Sequence, residues 1–195
     1  LPISQICNLL IKSSVFPAKC KIAKLKPLFK KGNLTEPKNY RPISLLPLVS
    51  KIIERVIHRQ VQEYLDKNQI LFKFQSGFRE SHSTDSCLSY LNDKILTGFD
   101  KGLITGMIAI DLQKAFDTIN HKILLEKMSY IGFSEKAISW FESYLSNRTF
   151  FVSVDNQISD GAVLNCGVPQ GSILGSFLFL IYVNDMSEAV QSDLY

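Results

Sequence analysis

The chain has 195 residues, 46% hydrophobic and 21% charged, with a formal net charge of +4. This is ordinary globular composition, long enough for one domain with a real core, and it excludes a low-complexity or repeat protein. The longest apolar runs fall well short of the ~20 residues that span a bilayer, and no signal-peptide pattern starts the chain.

The charge is unevenly spread. Before Glu36 there is no acidic residue, but Lys12, Lys19, Lys21, Lys24, Lys26, Lys30 and Lys31 are all present, so this arm carries +7 and the remainder −3. A basic arm on a near-neutral body fits a polyanionic partner, or else a solvated lysine-rich surface. Cys7, Cys20, Cys87 and Cys166 are scattered without a C-x-x-C pair, and His58, His82 and His121 sit at no zinc spacing. That argues against zinc and for reduced thiols in an intracellular protein. Leu1 stands where Met would, and residues 192–195 carry no stop signal, so both ends read as cuts through a longer polypeptide.

In chain order, Pro17, Pro27, Pro37, Pro42 and Pro47 forbid a long helix in the first fifty residues and favour strands and loops. Lys24 to Phe29 is a candidate strand and Lys31-Gly32-Asn33 a turn. From Leu48, apolar residues at three- and four-residue spacing (Ile52, Ile53, Val56, Ile57, Val61, Tyr64, Leu65) predict a helix. A second helix starts at a Ser83 or Thr84 cap, carries Leu88, Leu91 and Ile95 on one face, and ends near Gly98 or Gly102. Ile104 to Leu112 is β-branched and apolar and predicts a buried strand. Asp117 is expected to cap a helix running to Gly132, with Ile123, Leu124 and Met128 inward. Ser134 caps another through Ile138, Phe141 and Leu145. Thr149–Val154 and Ile158–Leu164 read as a hairpin across Asp155-Asn156. Ser172 opens an apolar helix, with Phe177 to Val183 in the core. The irregular order predicts an α+β fold.

Asp111 is the most informative position. A carboxylate closing an apolar strand is costly to desolvate unless it meets a cation or reaches water at the strand end. By itself it fits a metal anchor, a solvent-facing strand end or a cap.

Context narrows the choice. Ala109-Ile110-Asp111-Leu112-Gln113-Lys114-Ala115-Phe116-Asp117 resembles the first metal-binding motif of reverse transcriptases. Lys30-Lys31-Gly32 with Asn39-Tyr40-Arg41-Pro42-Ile43-Ser44-Leu45-Leu46 resembles the fingers motif of that family. Gln75-Ser76-Gly77-Phe78-Arg79 with His82-Ser83-Thr84 is similar to its next motif. Gly167-Val168-Pro169-Gln170-Gly171-Ser172-Ile173-Leu174-Gly175 resembles the motif beneath nucleotide and template. Four strings in family order, over roughly residues 24 to 195, most resemble the polymerases of non-LTR (LINE-like) retrotransposons.

The resemblance implies a right-hand fold with partial fingers (20–80 and 120–166) and palm (81–119 and 167–195), and no thumb. It implies RNA template, DNA primer and dNTPs as partners, two Mg2+ ions (or Mn2+) as cofactor, and action in the nucleus. Asp111 and the Leu112 carbonyl would hold metal. Lys30 or Lys31, together with Arg41, would meet the triphosphate, Phe116 would gate the sugar, and Gln170 and Gly171 would lie along the nucleotide. Gln75, Gly77, Phe78 and Arg79 would touch template. The family's aromatic-Ala-Asp-Asp turn would begin at Tyr195, so the isolated chain is expected to be inactive. Asp185 and Asp193 read as surface or turn residues. The competing reading is a decayed, non-catalytic RNA-binding remnant; a nuclease built on Asp111 and Asp117 would leave the other three motifs unexplained.

Overall fold

The computed structural model of the chain describes residues 2–155 and 157–190. Asn156, half of the expected turn, and Asp193 lie outside them.

The prolines leave room for one short helix at the start. Helix α1 (Pro2–Lys12), 11 residues long, forms where strands and loops were favoured, because Pro2 sits at its first position and the next proline is Pro17. Beyond it the proline rule holds. Strand β1 (Ile22–Phe29) and strand β2 (Tyr40–Leu45) pair antiparallel, with Pro27 opposite Pro42. Strand β3 (Arg148–Val154) lies parallel to β1 on its other side, with Leu25 opposite Val152. The returning arm of the hairpin is split into β4 (Gln157–Ile158) and β5 (Ala162–Leu164), both antiparallel to β3. Asp155 takes φ 45° at the turn, a left-handed conformation that Asp tolerates.

Helix α2 (Leu48–Lys67) buries Ile53, Ile57, Val61 and Leu65, as its periodicity predicts. Helix α3 (Thr84–Asp100) is capped by Ser83, whose hydroxyl accepts from Ser86 N while Ser86 caps back. Its inward face holds Leu91 and Ile95, but Cys87 replaces Leu88, which is 57% exposed. Helix α4 (His121–Tyr130) is capped by Asn120, not Asp117. Asn120 lies one residue before the helix and its side chain reaches Ile123 N at 3.2 Å, whereas Asp117 is held in the preceding loop. Leu124 and Met128 are buried, and Ile123 faces outward. Ser134 caps helix α5 (Glu135–Leu145) as expected. Helix α6 (Ile173–Val183) is apolar on every side and sits centrally against α2 and α4, as such a helix must. A short α7 (Met186–Ala189) follows, and exposed Asp185 pairs with Lys127.

The largest departure is the segment 103–112. It forms no strand and is exposed, with Ile104 at 101% and Ile108 at 90%. A strand satisfies its backbone only through a neighbour, and none of the described strands lies beside it. The residues are β-formers, but composition cannot supply the partner. The α+β class itself stands. All four cysteines are free thiols. Among the described residues no helix is long and apolar enough to cross a membrane.

Candidate functional site

The sheet, the loop before α4 and the loop before α6 enclose a cleft of about 1050 Å³. Leu25 and Pro27 of β1, Pro42 of β2, and Val152 and Val154 of β3 form its apolar wall. Lys30, at the end of β1, and Arg41, on β2, bring cations to it. Lys114, Phe116 and Asp117 come from the loop before α4, and Gln170 from the loop before α6. Four of the six residues expected around a nucleotide, separated by up to 140 positions, thus line one cavity. Among the described residues no carboxylate pairs with Lys30, Arg41 or Lys114. Lys38, also on the rim, is paired with Glu36 at 2.7 Å.

The two loops interlock through their backbones. Val168 N–H donates to the Phe116 carbonyl and Gly167 N–H to the Ile119 carbonyl, both at 2.8 Å. The Gln170 carbonyl accepts from Ser44 N–H on β2 at 2.7 Å. The Gln170 side-chain amide donates to the Asp117 carboxylate at 3.3 Å. Two glycines make the approach possible. A Cβ on Gly171 (φ 115°) would lie 2.7 Å from the Ser44 oxygen. A Cβ on Gly167 (φ 80°) would lie 2.7 Å from the Phe116 oxygen and 2.8 Å from Asp117 Cα. Those are rigid backbone atoms, and the φ is itself strained for an L residue. Gly167→Ala is therefore expected to cost about 2–4 kcal/mol, read as a lowered urea midpoint at constant slope. An unchanged midpoint would show that the loop yields freely.

The α6 end of the site is held by Glu54, fully buried on α2. Its carboxylate accepts from Ser50 Oγ at 2.8 Å, Ile173 N at 2.7 Å and Leu174 N at 3.3 Å. Ser172 Oγ caps the same helix through Gly175 N at 2.9 Å. Buried Arg148 donates to the Tyr144 carbonyl at 2.8 Å and lies over the Tyr144 ring. Burial first, and the Glu54 carboxylate second, push the Tyr144 phenol well above its ordinary pKa.

The remaining sites divide. Gly171 packs on Ser44 beside the cleft. Phe78 meets Phe116 edge-on at 5.9 Å, and Phe116 in turn meets Phe179 at 5.3 Å. Lys31, Gln75, Gly77 and Arg79 do not line the cleft. Arg79 instead holds the carbonyls of Phe72 and Gln75, at 3.2 and 3.3 Å, and lines a second cavity with Asn184. Asp111 and Leu112 stand exposed in the unpaired segment, outside the cleft lining. Among the described residues no three His, Cys, Asp or Glu side chains come together to hold a metal, so these residues alone do not fit a pair of divalent ions. Lys114 was missed in the sequence, where its only signal was its place inside the motif that carries Asp111.

The model described as "Reverse transcriptase (RNA-dependent DNA polymerase)" matches residues 28–194, and the chain belongs to that family. It is 36% identical over 187 residues to the "Probable RNA-directed DNA polymerase from transposon BS" of Drosophila melanogaster, covering 95% of this chain and 20% of that protein. It is 34% identical over 185 residues to the "RNA-directed DNA polymerase from mobile element jockey" of the same species, covering 94% and 20%. A more distant relative is the "Retrovirus-related Pol polyprotein from type-1 retrotransposable element R2" of Popillia japonica, 25% identical over 164 residues, covering 84% and 22%. The chain spans about a fifth of the length of these curated relatives.

Proposed function

We propose that this chain is the nucleotide- and template-facing part of a non-LTR retrotransposon polymerase, which transfers dNTPs to a primer 3′-OH under the direction of an RNA template. The observation that carries this reading is the convergence of Lys30, Arg41, Phe116 and Gln170 on one cleft. A guanidinium forks onto phosphate oxygens and an ammonium adds a point charge, so the Lys30–Arg41–Lys114 side suits the triphosphate. The Phe116 ring, backed by Phe78 and Phe179, suits a sugar that lacks a 2′-hydroxyl. Gly77, Phe78 and the loop that Arg79 braces would present Gln75 and the exposed Phe78 ring to template. In this reading residues 20–80 and 120–166 are mainly fingers, and 81–119 and 167–195 mainly palm, with action in the nucleus.

Mg2+, or Mn2+ in its place, is the cofactor this function calls for. Asp111 and the Leu112 carbonyl would contribute to its site, together with the aspartate pair that the resemblance places in an aromatic-Ala-Asp-Asp turn. The isolated chain is accordingly expected to be inactive.

Arg41→Ala, made in the polypeptide that carries this chain, is expected to raise the KM for dNTP by about 10- to 100-fold, the worth of lost charge-assisted hydrogen bonds, and to change kcat less. Unaltered KM would remove the triphosphate from this cleft.

The exposed Asp111 segment favours one second reading, a non-catalytic RNA-binding remnant. That protein would bind RNA in a salt-sensitive way and incorporate no nucleotide with or without Mg2+.

A further inference from the structure

We infer that Asp117 is a positioning residue, whose carboxylate fixes the Gln170 amide so that the amide oxygen is the face turned to a ligand in the cleft. This rests on the nucleotide reading of the cleft and adds a residue and a direction to it.

The carboxylate is free for such a role because α4 does not use it; Asn120 is that helix's cap. Asp117 is half-buried, lines the cleft beside Gln170, and accepts from Gln170 Nε2 at 3.3 Å. An ionised carboxylate can only accept hydrogen bonds, so the amide must present its NH2 edge to Asp117. Gln170 Oε1 and one N–H are left for a ligand.

Neither partner is a mobile surface side chain. The Asp117 loop is tied to the Gly167 loop by Val168 N–Phe116 O and Gly167 N–Ile119 O. The Cys166 thiol donates to the Asp117 carbonyl at 3.4 Å, and His121 Nε2 lies 2.7 Å from the Gly167 oxygen. On the far side Ser44 N–H holds the Gln170 carbonyl. The bond therefore spans two anchored backbones, where little entropy remains to be lost on making it.

The carboxylate also gives the cleft a direction. Phosphates are drawn to Lys30, Arg41 and Lys114 and repelled by Asp117. The Asp117–Gln170 side then suits a neutral group that donates hydrogen bonds, such as a sugar hydroxyl or a base amine.

A double-mutant cycle in the polypeptide that carries this chain tests the coupling. Asp117→Ala and Gln170→Ala are each expected to raise the KM for dNTP about tenfold, with kcat less affected, and the double variant no further. Asp117→Asn, whose carbonyl still accepts from Nε2, restores most of the loss. Losses that multiply would show that Asp117 acts alone, and Asp117→Asn as damaging as Asp117→Ala would show that the acceptor at 117 does not position the amide; either overturns the inference. A second readout needs no polymerase activity. In the 195-residue chain, solvent exchange of the Gln170 side-chain amide protons is expected to be slow in the unaltered protein and in Asp117→Asn, and fast in Asp117→Ala. Equal exchange in all three overturns the inference whatever the kinetics. An unaltered polypeptide that incorporates no dNTP, yet shows this exchange pattern, sinks the polymerase reading and leaves Asp117 in its role.

Discussion

Asp111→Asn in the polypeptide that carries this chain is expected to lower dNTP incorporation by on the order of 10²-fold or more, the scale for losing a central electrostatic group. The substitution keeps size and shape and removes only the charge, so a packing role would predict almost no effect. The expectation is demanding because of where the structure leaves this residue. Asp111 is exposed and closes a segment in which Met107, Ile108 and Ile110 are also exposed, at 70%, 90% and 64%. Exposed aliphatic side chains in an unpaired segment gain free energy from burial once a neighbouring strand covers them. We propose that a covering strand would turn 103–112 into the strand its composition predicts, and hold Asp111 rigidly enough to grip a dication. Loss of rate should then come with an unchanged KM for dNTP, since Lys30, Arg41 and Gln170 stay in place. Near-normal turnover would strip Asp111 of its metal role and favour the non-catalytic reading.

Glu54→Ala is expected to cost about 2–4 kcal/mol, the scale for leaving buried hydrogen-bond donors unsatisfied, and to lower the melting midpoint by roughly 10 °C for a chain of this size. The side chain is 0% exposed and its carboxylate is the acceptor for one hydroxyl and two backbone N–H groups. Its removal orphans all three in a dry setting. It also removes a negative charge close to the N-terminus of α6, where the helix dipole favours one. Glu54→Gln keeps an acceptor but not the charge, so it should fall between the two. The functional consequence follows from α6 itself, since its first turn carries the loop that presents Gln170. A Glu54→Ala protein that melts within about 2 °C of the original would mean that Ser172 alone suffices as a cap.

Much of this chain could be read from its residues because the physics concerned is local. Ser83, Ser134 and Ser172 each cap a helix within three residues, and α2 buries the stripe that its spacing marks. Motif strings in order were enough to indicate the family. Tertiary structure alone decided the rest. Helix α6 is capped at once by Ser172 beside it and by Glu54, 119 residues away, and only the first could be read from sequence. Asp117 looked like a cap because its position permits one, yet Asn120 sits nearer the helix and Asp117 turns to Gln170. Arg79, read from its motif as a template contact, also satisfies two carbonyls of its own loop. Helices close their hydrogen bonds within four residues, so sequence specifies them. Strands and clefts draw their partners from anywhere in the chain, which is why β1 found β3, why 103–112 pairs with none of the described strands, and why the site became visible only once the chain had folded.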